Sequence, residues 1–99
     1  MNQAQYYTLL DLLEDIKGVD KMITLHLNDD SAFMLEQYKS KKEKLIRNLI
    51  DKLISPSLMS ARSIHTIKMV IDRFYGDEME KLDKQSLNDE LSKVEHALA

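Results

Sequence analysis

The sequence predicts an all-α fold: an antiparallel helical hairpin, residues 3–27 and 31–54, completed to a three- or four-helix bundle by 57–75 and 77–98. Three observations predict it. Fifteen Leu, eight Ile and six Met dominate the apolar set, against three Val, two Gly and one Pro. Unbranched side chains keep their rotamer freedom in a helix, and breakers are nearly absent. Apolar residues recur every three or four positions, the period of a helix rather than the alternation of a strand. Finally, only short connections separate these stretches, so that sequential helices run antiparallel. The 99 residues form one domain, 1–99, with a single modest core.

The first stripe runs Tyr6, Leu9, Leu12, Ile16, Val19, Ile23 and His26, widened by Leu10, Leu13 and Leu27. Gly18 interrupts it, at a cost of about 1 kcal/mol relative to Ala. Either the helix bends or ends there, or a neighbouring backbone approaches closely. Asn28, Asp29, Asp30 and Ser31 are short polar residues suited to a turn and a helix start. The second stripe follows: Leu35, Tyr38, Lys42, Leu45, Leu49 and Leu53. A turn centred on 28–30 sets Ile23 against Leu35, Leu13 against Leu45, Leu9 against Leu49 and Gly18 against Ser40. The same register brings Glu14 and Asp15 to Lys42 and Lys44, and it favours close approach at Gly18.

Ser55 and Pro56 fit the N-cap and first position of a third helix. That helix carries Leu58, Ile64, Ile67, Ile71 and Phe74, and Gly76 is its expected left-handed stop. Asp77 and Glu80, at capping-box spacing, open a fourth helix. Its stripe drifts out of phase between Leu82 and Leu87, so a break near Ser86 is expected.

The net charge of −3 is unevenly distributed. Residues 1–30 carry six acids and two bases, 31–54 three acids and six bases, 55–75 one acid and three bases, and 76–99 seven acids and three bases. Acidic outer quarters thus enclose a basic middle. The absence of Cys excludes disulfides, thiolate metal sites and cysteine nucleophiles. No run approaches the ~20 apolar residues of a membrane-spanning helix, and the opening MNQAQYY lacks the regions of a secretory signal. A cytoplasmic location is expected.

His26, Asp29, Asp30 and Glu36 lie within eleven positions. A metal site needs ligands converging on one ion, whereas a partly buried histidine beside a capped turn accounts for all four. The Glu-x-x-His pairs of di-iron bundles are missing, since Ile23, Arg62 and Lys93 stand three residues before the three histidines. Ser55, Ser57, Ser60 and Ser63 cluster near His65, but Ser63 and His65, two apart, face different sides of a helix. Catalytic residues, metal ligands and cofactors are therefore expected to be none.

Lys39, Lys41, Lys42, Lys44 and Arg47, with Arg62, Lys68 and Arg73, form the candidate nucleic-acid contacts, because such side chains neutralise phosphates. Carboxylates of the first helix are expected to occupy part of this set instead. Tyr6, Tyr7 and Tyr75 are candidate interface anchors, pairing a large ring with a hydroxyl that stays wet. Tyr38, on the stripe, is assigned to the core. Met22, Met34, Met59, Met69 and Met79 fill core gaps or line an adaptable groove.

The segment KMITLH followed by SAFMLEQYKSKKEKLIRNLI resembles a group of short bacterial proteins that share an FMLxQYxxxK segment after a histidine and a polar turn. The resemblance covers roughly residues 20–54 and implies a helical hairpin; it assigns no activity. The expected function is that of a non-enzymatic protein, regulatory or adaptor in role, that acts through protein–protein contacts and self-associates as a homodimer. The alternative is nucleic-acid binding by the basic faces of helices two and three.

Overall fold

A computed structural model of the chain describes residues 1–28, 32–83 and 90–99. Helix α1 spans Gln3–His26 and opens with a reciprocal cap: the Gln5 N–H donates to Asn2 Oδ1 at 2.8 Å, and the Asn2 N–H to Gln5 Oε1 at 3.0 Å. Two otherwise orphaned amides are satisfied before the first turn closes. Leu12, Ile16, Val19 and Ile23 form its buried face.

The helix passes unbroken through Gly18, which has no positive φ, and a Cβ there would meet nothing within 4 Å. The expected close approach to Ser40 is therefore absent. Gly76 is likewise helical and open. Gly18→Ala and Gly76→Ala are each expected to stabilise the fold by about 0.5–1 kcal/mol, raising Tm by several degrees in a thermal melt. A fall in Tm for either variant would contradict the helix at that position.

Helix α2, Ala32–Leu53, buries Lys42, Ile46, Leu49 and Leu53 at spacings of four, three and four. Leu9, Leu13, Leu45 and Leu49 belong to one apolar cluster, as the hairpin requires. The ionic pairing differs from expectation. Lys42 reaches Asp20 at 2.7 Å, not Asp15, while Glu14 pairs with Lys17 in its own helix at 3.7 Å. The reason is side-chain direction: Cα–Cβ bonds tilt toward a helix N-terminus, so the long Lys42 stem runs about one turn toward the hairpin tip. Among the described residues, Asp20–Lys42 is the one ion pair that crosses the hairpin.

The third helix also departs from its expected bounds. Ser55 does accept from the Leu58 and Met59 N–H groups, at 2.9 and 2.8 Å, but this turn does not propagate. Helix α3 spans Ala61–Asp83, with Ser60 as its cap. The Ser63 N–H donates to Ser60 Oγ at 3.1 Å and the Ser60 N–H to Ser63 Oγ at 2.8 Å, so a buried serine plays the part usually given to Glu or Gln. Gly76 does not end α3, and Asp77 and Glu80 lie inside it rather than opening a new helix. Gly76 does not take the left-handed conformation that the expected stop relies on, so the helical backbone continues through it. Helix α4 is correspondingly short, Glu90–Leu98. The break expected near Ser86 falls outside the described residues.

Helix α3 lies across the α1–α2 hairpin. The chain leaves α2 at Leu53, and α3 meets that helix again where Phe74 faces Lys42, so α3 descends antiparallel to α2. Leu12 and Ile16 of α1, Ile46, Leu49 and Leu53 of α2, and Val70 and Phe74 of α3 form the core. The Cα trace measures 42 × 38 × 16 Å, a thickness of two helix layers at the usual 8–10 Å spacing. Its radius of gyration is 15.9 Å, against about 13 Å for a compact chain of this length. The bundle is open rather than closed.

Candidate functional site

Lys42 is the one charged residue that the described structure buries, at 7 % exposure. Its ammonium donates to the Phe74 carbonyl at 2.6 Å and pairs with Asp20 at 2.7 Å. The ring of Tyr75 lies 4.7 Å away and that of Phe74 6.0 Å, close enough for cation–π attraction. One side chain thus ties α1, α2 and α3 together. The Tyr75 phenol is pushed above its ordinary value, first by burial and then by the carboxylates of Glu43, Glu78 and Asp20.

This placement removes Lys42 from the candidate nucleic-acid contacts, because a buried, doubly bonded ammonium presents nothing to a phosphate. The other seven, Lys39, Lys41, Lys44, Arg47, Arg62, Lys68 and Arg73, are exposed. They do not form an uninterrupted basic face. Arg47 is held by Glu43 at 2.7 Å and Lys39 lies 4.0 Å from Glu36, so acids are interleaved with bases along α2.

The histidine of the hairpin tip is half-buried and stacks on Tyr38, centroids 5.4 Å apart and planes 19° from parallel. Asp29 and Asp30 lie outside the described residues, and Glu36 is exposed near Lys39. Among the described residues no three His, Asp or Glu side chains stand close enough to share an ion. The serines do structural work. Ser60 and Ser63 cap α3, Ser55 Oγ donates to the Lys52 carbonyl at 2.7 Å, and His65 is exposed. No helix among the described residues is long and apolar enough to cross a membrane.

The exposed apolar surface is extensive. Among the described residues fifteen large hydrophobic side chains are exposed and nine are buried. Tyr6 and Tyr7 are both about half exposed, their rings 5.5 Å apart and tilted by 56°. Tyr75, the third expected anchor, instead packs half-buried against the core. Of the methionines, Met59, Met69 and Met79 are exposed, whereas Met22 and Met34 are half-buried. Leu25, Leu27 and Phe33 stand out from the hairpin tip.

Of two further apolar surfaces, the first was visible in the sequence as a late stripe and the second was not. One is the stripe Leu91, Val94 and Leu98 of α4, a helix with no buried residue. The other is a groove of about 410 Å³ between α2 and α3, lined by Ile46, Ile50 and Tyr75, with Glu43 and Arg47 at its rim. The spacing of the α4 leucines was a visible signal; what covers them was not. Comparison of the chain with protein-family models, curated proteins and solved structures finds no match.

Proposed function

We propose that this chain is a non-enzymatic helical protein that acts through protein–protein contact and self-associates through its helical faces. The observation that carries this reading is the excess of exposed over buried large apolar side chains on a two-layer structure. Contiguous apolar surface beyond a few hundred Å² is costly to leave in water and marks interaction surfaces. Sedimentation equilibrium or light scattering at micromolar concentration is expected to give a concentration-dependent dimer. A strict monomer across the accessible range sinks the reading.

The seven exposed basic side chains favour a second reading, nucleic-acid binding. Retention of duplex or single-stranded nucleic acid at low salt, lost steeply as salt rises, would support it over the first. We place it second because acids are interleaved with these bases and because the basic middle of the chain has a complement in its own acidic last quarter.

A further inference from the structure

The α1–α2 hairpin has two faces, and α3 covers one of them. Around α2, Glu43 and Ile50 lie on the flank of the buried row Lys42, Ile46 and Leu49 that borders Tyr75 of α3, whereas Lys41 and Leu45 lie on the opposite flank. On that opposite side a groove of about 340 Å³ runs between α1 and α2, and no described residue of α3 or α4 lines it. Its floor is apolar: Val19 is buried, and Met22, Tyr38 and Leu45 are half-buried.

The walls of this groove are charged, and with opposite sign. Glu14 and Asp15 stand on the α1 wall and Lys41 on the α2 wall. Helical spacing extends both, since Asp11 lies one turn from Asp15 and Lys44 one turn from Lys41, while the α1 bases Lys17 and Lys21 fall on other sides of their helix. Among the described residues Asp11, Asp15, Lys41 and Lys44 form no ion pair, and Glu14 has only the exposed 3.7 Å contact with Lys17. Farther along, toward the open end of the hairpin, Asp51 and Lys52 adjoin one another and cancel. The middle of the face is therefore acidic on α1 and basic on α2.

We infer that this face is an interface between two copies of the chain, stacked groove on groove about a two-fold axis that runs along the groove, with α1 of each copy over α2 of the other. A two-fold interface uses one patch twice, so that patch must be complementary to itself. An acidic wall beside a basic wall meets the requirement. Rotation about an axis along the groove sets each acidic wall on the partner's basic wall, whereas rotation about an axis across it sets like charge on like. The first rotation also preserves height, so Asp11 and Asp15 of one copy meet Lys41 and Lys44 of the other while the Met22, Tyr38 and Leu45 side chains close over the axis. The chain's own α4 is the poorer occupant. By helical spacing Glu90 and Glu95 edge its Leu91, Val94 and Leu98 stripe on both sides, so seating it there sets a glutamate against the acidic α1 wall. This inference rests on the self-association proposed above and specifies its geometry.

The test uses charge reversal in the full-length chain at four exposed positions. Asp11→Lys/Asp15→Lys turns the acidic wall basic, and Lys41→Glu/Lys44→Glu turns the basic wall acidic. A third variant combines all four substitutions, exchanging the two signs and keeping the net charge at −3. In sedimentation equilibrium at low salt each double variant is expected to dimerise on the order of 30-fold more weakly than wild type, a difference that shrinks as salt rises. The combined variant is expected to return to the wild-type affinity, and all three to keep a helical circular-dichroism spectrum. Leu91→Glu/Val94→Glu, which alters α4, is expected to leave the dimer unchanged. A monomeric wild type would remove self-association and this geometry together. A wild-type dimer indifferent to both double variants would remove the geometry alone. So would a combined variant as weak as its parents, or a dimer lost with the α4 stripe.

Discussion

Ile16→Ala is expected to destabilise the chain by about 3–4 kcal/mol, within the range measured for truncating a buried isoleucine. Ile16 is the one large side chain with no exposure among the described residues, and it packs where α1, α2 and α3 meet. The cost has two parts, the lost transfer of methylenes out of water and the cavity that surrounding helices fail to close. In a domain with a total stability of roughly 5–15 kcal/mol, that is a large share. Urea denaturation followed by circular dichroism would show a lower midpoint with little change in slope. Leu25→Ala, at an exposed site, is the control and should stay within about 0.5 kcal/mol of wild type. Equal losses at the two positions would mean that the core is not organised around Ile16.

At Lys42 the chemistry of the replacement decides the outcome. Lys42→Ala is expected to cost about 2–3 kcal/mol and Lys42→Met less than about 1 kcal/mol, because most of what Lys42 contributes is its buried stem. Removing the ammonium orphans little. Asp20 is about one-third exposed and regains water, while the Phe74 carbonyl lies inside a helix. Asp20→Asn is the harder change relative to its size. It leaves a buried cation with only the Phe74 carbonyl and two aromatic rings, and is expected to cost about 1–2 kcal/mol after discounting for the exposed side of the pair. In the Lys42→Met background the same Asp20→Asn change should be nearly silent. A double-mutant cycle measures that difference, and a cycle that closes with no coupling would show that the 2.7 Å contact contributes nothing.

Lys42 also illustrates how far the residues could be read in order. Its place on the stripe between Tyr38 and Leu45 already marked it as core-facing. Its charge suggested a phosphate contact. The helical period was the better guide, because a four-carbon stem can be buried wherever its tip finds an acceptor, and Phe74 supplies one from a helix 32 residues away. Gly18 and Gly76 went the other way. A glycine in a helical pattern suggested a packing constraint and a stop, yet both sit in open helix, tolerated at a modest propensity cost. Ser55–Pro56 looked like a start and formed only a turn, while Ser60 and Ser63, a serine-only form of the reciprocal cap, began the helix instead.

From local information alone, the amino-acid order determined that the chain is helical, that α1 and α2 double back on each other and which faces of them turn inward. Those features depend on residues three or four apart, and that spacing is written directly in the chain. The tertiary structure alone decided that α3 runs through Gly76, that Asp20 rather than Asp15 takes Lys42, and that the α4 stripe and the α2–α3 groove are left uncovered. Each of these turns on which distant side chains fill the same space, and packing between elements outweighs the propensity of any single residue.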